Sequence, residues 1–224
     1  MDHPDETMRE MRVSLNFAIS ADGKIAGVRR SGGRWTSEAD LNRLLALREG
    51  ADALLVGRGT LEADEMSLTV PGAPPSRQPL RCVVSRSGRI DPDHKLFRTP
   101  GGPVHLLVVT GPDAPPAEIA EAATLHRDTL AGFLETLRRK FGVRRLHCEG
   151  GGQLARELFA LDVVDTLHLT WAAHTMFGGH EAPGITGLPG DFLPTSRRFR
   201  LVEFDPRADR GECFLTYRRV DGKP

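Results

Sequence analysis

The chain has 224 residues, with 30 Lys and Arg against 30 Asp and Glu, and 39% of it is hydrophobic. A formal net charge of zero gives no chain-wide pull towards nucleic acid or an anionic membrane, and no apolar run approaches the ~18 residues that a membrane helix needs. Three widely spaced cysteines, Cys82, Cys148 and Cys213, speak against a disulfide framework and for a reducing compartment, the cytoplasm.

Residues 1–11 are charged and lack the apolar stretch of a secretion signal. They read as a frayed leader ahead of a single domain over 12–220, with a short tail over 221–224. Residues 13–19 alternate apolar and polar and predict a strand, broken by Ser20-Ala-Asp-Gly-Lys24. A Gly- and Arg-rich loop follows over 25–34. Thr36 or Ser37 caps a helix, with Glu38 and Asp40 in the first turn, where negative charge suits the helix dipole. Leu41, Leu44, Leu45 and Leu47 supply its apolar side, and Gly50 ends it. Residues 51–56 are a short apolar strand running into Gly57-Arg-Gly-Thr60 and a short helix. A proline-rich loop occupies 71–79. Further strands are predicted over 80–84, 104–109, 143–148 and 164–171, and helices over 115–123, 129–141 and 153–161. A Gly/Pro-rich loop over 174–194 leads to two closing antiparallel strands, 198–204 and 212–220. Strands alternating with helices imply an α/β chain with a doubly wound, mostly parallel sheet, and the closing hairpin adds an antiparallel edge.

In such sheets ligands bind outside the carboxyl ends of the strands. Val56 runs into Gly57-Arg-Gly, Val84 into Ser85-Arg-Ser-Gly-Arg89, and Cys148 into Glu149-Gly-Gly-Gly152. Glycines there let a ligand approach the backbone, and the helix start that follows favours phosphate. Two glycine turns in one sheet suit a dinucleotide better than a single phosphate. Neither turn completes the Gly-x-Gly-x-x-Gly fingerprint, so each also reads as a helix-start glycine needed for packing. Arg86 and Arg89 either hold the 2′-phosphate of NADP or form a solvated basic loop. Asp22, before Gly23, is a turn residue or an acid, and Glu149 is a helix-start carboxylate or a ligand. His147-Cys148-Glu149 has the His-x-Glu of zinc deaminases, but no Pro-Cys-x-x-Cys follows, so no metal site is expected. His94, His105, His126 and His168 read as surface or satisfied core residues. His174 and His180 flank Gly178-Gly179; each reads as a plain loop histidine ahead of one that reaches a substrate mouth.

Several segments, in order, resemble the riboflavin-biosynthesis pyrimidine reductases. They are 16–26 (Asn16 to Ala26), 51–60 with Leu68-Thr69-Val70, Glu149-Gly-Gly-Gly-Gln-Leu154, Val164-Asp165, and Met176-Phe-Gly-Gly-His-Glu-Ala-Pro183. The likeness runs from about 13 to 217. That family includes the C-terminal half of a bifunctional deaminase/reductase and stand-alone archaeal and fungal-type reductases, within the dihydrofolate reductase superfamily.

The resemblance implies a dihydrofolate reductase-like fold, a homodimer, NADPH as cofactor, and a small phosphorylated substrate. Hydride passes to C1′ of a ribosylamino-pyrimidine 5′-phosphate, and the ribose opens to a ribityl chain. On the cofactor side the family's motifs fall on Thr36, Gly57, Thr60, Glu149, Gly150, Gly151, Gly152 and Leu154, with Ser85 and Arg86 beside the 2′-phosphate. On the substrate side they fall on Asn16, Ser20, Asp22 and Lys24 and on the acidic pair Asp64 and Glu65, with His174 at the mouth. Asp22 and Glu65 are the carboxyl groups placed to handle a proton, and Arg77 and Arg81 are candidates for the substrate phosphate. The chain departs from the family where Asp-Asp-Pro has become Asp64-Glu65-Met66, where Val-Val-Asp has become Val83-Val84-Ser85, and where a proline has become His174. Those changes leave two further readings: a reductase of another heterocyclic or pterin-like substrate, and an NADP-binding dimer without catalysis.

Overall fold

A computed structural model describes residues 11–28, 35–109 and 116–220. Most of the leader, the tail, part of the 25–34 loop and the start of the 115–123 helix lie outside them. The elements in chain order are β1 (Arg12–Ser20), α1 (Glu38–Glu49), β2 (Ala53–Gly57), α2 (Arg58–Ala63), β3 (Leu80–Ser85), α3 (Lys95–Arg98), β4 (Val104–Val108), α4 (Ala117–Ala122), β5 (Thr124–Arg127), α5 (Leu130–Lys140), β6 (Arg145–Cys148), α6 (Gly152–Ala160), β7 (Val164–Ala172), β8 (Phe199–Arg207) and β9 (Glu212–Arg219). They build a nine-stranded sheet in the order β5-β4-β3-β2-β6-β1-β7-β9-β8. Neighbours from β5 to β7 are parallel, and β9 pairs antiparallel with both β7 and β8. The expected mostly parallel sheet with a closing hairpin is the one observed.

β2 shows why the sheet is covered on both sides. Ala53, Leu54, Leu55 and Val56 are all fully buried, the mark of a parallel strand with helices on each face. Ala53 and Leu55 join a core with Leu15, Phe133 and Leu137 of α5, and Leu158 of α6. Leu54 and Val56 join a second core with Leu61 of α2, Leu96 of α3 and Ile119 of α4.

α1 departs from its expected leucine-lined packing. Leu41, Leu44, Leu45 and Leu47 are only half-buried, and its buried side chain is Arg48. The sheet beneath it carries His168, Thr170 and Thr216, polar groups that need partners once out of water. Arg43 donates to the carbonyls of Leu169 and Leu215, both at 3.0 Å, and Asp40 accepts from the Thr170 hydroxyl at 2.5 Å. Ser37 caps the helix, and the buried Glu212 carboxylate accepts from its amide at 2.7 Å and its hydroxyl at 2.5 Å.

Two short elements have no counterpart among the sequence expectations. α3 begins where His94 Nδ1 accepts the Leu96 amide at 3.1 Å. β5 is four residues long and half-exposed, too short to show a period.

Candidate active site

Among the described residues, a cleft of about 2150 Å³ opens along the carboxyl ends of the parallel strands. Its walls come from β1 (Asn16 to Ala18), the turn after β2 (Gly57 to Thr60), the ends of β3 and β4 (Ser85, Val109), the end of β5 (Arg127) and the turn after β6 (Glu149 to Gly152). This is where an open α/β sheet binds ligands.

One end of the cleft is made of bare backbone. Gly150 and Gly151 hold φ at 110° and 94°, conformations that a side chain resists. Gly151 is the N-cap of α6, so the positive end of that helix faces the cleft. Gly57, Thr60, Ser85, Arg86 and Leu154 line the same region. The Ser85 hydroxyl accepts the Gly88 amide at 2.9 Å and so shapes the turn that carries Arg86. The donors and glycines here fit a dinucleotide phosphate. Of the residues assigned to the cofactor, Thr36 alone does not line the cleft; its neighbour Trp35 does.

Glu149 lines the cleft, but its carboxylate is already paired. Arg48 donates to both oxygens, at 2.5 and 2.6 Å, and to the Thr69 carbonyl at 2.9 Å. The pair is buried and ties the end of α1 to the glycine turn. Its side chain is a brace for that turn, and its backbone faces the cleft.

The substrate-side residues divide. Asn16 and Asp64 line the cleft, as does Met66. Asp64 is exposed, and the atoms crowded round its carboxyl in the cleft wall nudge it above the ordinary aspartate value by desolvation. Asp22, by contrast, lies outside the cleft as a hydrogen-bond acceptor. The Ser20 hydroxyl (2.6 Å) and the amides of Gly178 (2.8 Å) and Phe177 (3.3 Å) all donate to it. The Ser20 hydrogen bond above all holds its carboxyl below the usual aspartate range. Ser20 is buried and its hydroxyl also accepts the Lys24 amide at 3.0 Å; neither it nor Lys24 lines the cleft.

The structure places four other assigned residues away from the cleft. Arg81 is buried and its guanidinium serves the carbonyls of Gly102 (2.6 Å), Leu96 (2.5 Å) and Thr99 (3.1 Å), so it closes a loop and reaches no substrate phosphate. Arg77 ends an exposed turn away from the cleft. Glu65 is exposed, at a φ of 44° that turns the chain after α2, and does not line the cleft. His174 packs beside Gly211, with Nε2 3.8 Å from Glu212, and also lies outside the cleft.

Sequence reasoning did not find Asp40 and Leu44 of α1, Asp128 and Thr129 at the start of α5, or Arg156 of α6, all of which line the cleft. The Thr129 cap was a usable signal, since it accepts the Gly132 amide at 3.1 Å and fixes where α5 begins. Arg156 donates to the Thr186 carbonyl at 2.9 Å and holds a wall of the cleft in place.

The sheet order and the cleft at its carboxyl ends define an α/β protein with a dihydrofolate reductase-like fold. Enterococcus faecalis dihydrofolate reductase shares the fold at a TM-score of 0.53 and 16% identity, over 94% of this chain and 97% of that one. Residues 11–207 match the RibD C-terminal domain, and the chain belongs to that family. It is 33% identical, over 77% of its length and 84% of the relative's, to the 2,5-diamino-6-ribosylamino-4(3H)-pyrimidinone 5′-phosphate reductase of Archaeoglobus fulgidus. The solved RibD of Acinetobacter baumannii superposes at a TM-score of 0.79 with 20% identity, over 96% of this chain and 60% of that longer one. The family places the chain among the oxidoreductases of riboflavin biosynthesis, which implies a nicotinamide cofactor. Among the described residues no helix is long and apolar enough to cross a membrane.

Proposed function

We propose that this chain is an NADPH-dependent reductase of a ribosylamino-pyrimidine 5′-phosphate, working as a homodimer with residues 12–220 as one reductase unit. The observation that carries this reading is a cleft whose glycine turns suit a dinucleotide and whose walls also carry Asn16, Asp64 and an aromatic pair. The bound cofactor supplies the hydride that C1′ gains as the ribose opens to a ribityl chain. Gly57, Thr60 and the turn from Gly150 to Gly152 bind its phosphates, and Ser85 and Arg86 take the 2′-phosphate. The ring oxygen that leaves C1′ needs a proton. Asp64, a carboxyl in the cleft wall, is the group placed to deliver it.

The relatives with 33% identity carry the diamino-pyrimidinone name, which favours the substrate before deamination. The altered residues Glu65 and His174 lie outside the cleft, so among the departures only Met66 and Ser85 can touch a ligand. That supports the family's substrate over another heterocycle and over a non-catalytic dimer. A second copy would cover the edge strand β8, where Leu201, Val202 and Phe204 are 47%, 39% and 64% exposed. Three buried free thiols suit the cytoplasm.

The test follows NADPH absorbance with the ribosylamino-pyrimidine 5′-phosphate, both deaminated and not. Oxidation with matching ribityl product is expected, faster with the diamino form. NADPH binding without oxidation of either would refute the substrate assignment, and absence of binding would refute the cofactor site.

A further inference from the structure

Asp22 lies at the turn after β1, outside the cleft, yet its hydrogen bonds lead into it. The Ala21 amide donates to the Thr175 carbonyl at 2.8 Å, so the turn and the 175–178 segment are already zipped together. Asp22 then receives the amides of Phe177 and Gly178, and the Ser20 hydroxyl orients the carboxylate from below. Every group facing it is a donor, the arrangement of an ionised carboxylate used as a clamp. The residue so clamped is Phe177. Its ring meets Trp35 edge to face, with centroids 4.9 Å apart and planes at 81°, and both rings line the cleft. Trp35 is fixed from the other side, two residues before Ser37, which Glu212 holds.

The sheet order decides which ring this corner takes. The glycine turns follow β2 and β6, and the Ser85 turn follows β3, which lies on the far side of β2. A dinucleotide laid along them brings its reactive ring towards β6 and β1. Its reaction partner must then enter from the β1 side, where Trp35 and Phe177 stand with Asn16 and Asp40. Two perpendicular aromatic walls beside an amide and a carboxylate suit a flat ring with polar edges.

We infer that Asp22 is a positioning residue whose carboxylate holds Phe177 against Trp35, and that this aromatic corner takes the heterocycle of the substrate. The inference rests on the reductase reading above. It moves Asp22 from proton transfer to substrate selection, through a residue 155 positions away in sequence.

The experiment uses Trp171→Phe protein, because Trp171 is the second of two tryptophans and lies exposed on β7. Trp35 then reports alone. Into it go Asp22→Ala, Asp22→Asn and Phe177→Leu. Each of Asp22→Ala and Phe177→Leu is expected to raise the substrate KM roughly tenfold, the size of a lost base–aromatic contact, while kcat changes far less. NADPH affinity should stay within about twofold. Asp22→Ala should shift Trp35 emission, and the pyrimidine should quench Trp35 in the parent but not in Phe177→Leu. A fall in kcat at unchanged KM would overturn the inference in favour of proton transfer by Asp22. Loss of NADPH affinity would overturn it in favour of a nicotinamide pocket, and unchanged Trp35 emission in Asp22→Ala would break the clamp. If the parent oxidises no NADPH with the pyrimidine, the substrate reading fails by itself. Quenching of Trp35 by a free aminopyrimidine then still supports the corner, and its absence overturns it.

Discussion

Replacing Arg48 with methionine removes a buried guanidinium that makes three hydrogen bonds, two to Glu149 at 2.5 and 2.6 Å and one to the Thr69 carbonyl at 2.9 Å. The two side chains are 9% and 1% exposed, so water cannot replace the lost partner. Breaking such a pair from one side costs about 3–5 kcal/mol, because the other charge stays buried and uncompensated. Against a total of roughly 5–15 kcal/mol that is a large share. For a chain of this size each kcal/mol moves the melting temperature by about 2–4 °C, so Tm should fall by roughly 6–20 °C. Urea and thermal unfolding followed by circular dichroism measure it. Glu149→Leu combined with Arg48→Met should recover much of the loss, since an apolar pair of similar volume needs no counter-charge. The dinucleotide should also bind more weakly to Arg48→Met, because the glycine turn has lost its brace. A loss under about 1 kcal/mol, the range of exposed ion pairs, would refute the reasoning. So would a double variant as unstable as the sum of the singles.

Acid should weaken the fold through its buried histidines. Burial lowers His105 and His168 to about 4 and His147 to about 3, from 6.5. The folded state favours neutral imidazole, so this stability is complete above pH 6.5 and is lost as pH falls from there towards 4, by at most ~1.4 kcal/mol per pH unit for each group. His147→Gln should flatten the fall of Tm between pH 6.5 and 4, and an unchanged slope would show that His147 does not contribute. Arg81→Met should cost about 3 kcal/mol or more by orphaning three carbonyls, while leaving the KM of the folded enzyme unchanged; a raised KM would restore a phosphate-binding role. Arg86→Glu should weaken NADPH by about tenfold or more and NADH little, measured by calorimetry, and equal losses would remove Arg86 from the 2′-phosphate site.

The central strands β2, β3, β4 and β6 were legible because they are buried on both faces and read as short apolar runs. β2 is the clearest, with four fully buried residues and the Gly57 turn behind it. The glycine end of the cleft was legible for the same reason, since backbone exposed to a ligand leaves its trace as glycine in the sequence. Side-chain roles were less so. Asp22 and Arg81 each have the residue type that the chemistry needs, but hydrogen bonds from other segments had already taken them. Arg48 and Glu149 are 101 positions apart, and no local pattern marks two charges that will be buried together. The leucines of α1 misled in the opposite way. A helical apolar stripe says that a face will be covered, not by what, and the polar sheet beneath α1 drew Arg43 to it instead.

β1 sits between β6 and β7, and its backbone partners lie far along the chain: the Val13 amide meets Asp165, 152 residues on. On the ribosome, at about 5–20 residues per second, the first strand therefore waits on the order of ten seconds for its neighbours to emerge. β2, β3, β4 and β5 can pair with one another in that interval, since each lies beside the next. The strand that carries Asn16 is thus placed late, into a slot between two others, and until then its apolar residues Val13, Leu15 and Phe17 are open to chaperones or to a neighbouring nascent chain. The middle of the finished sheet therefore exists only after the β2–β5 edge beside it does.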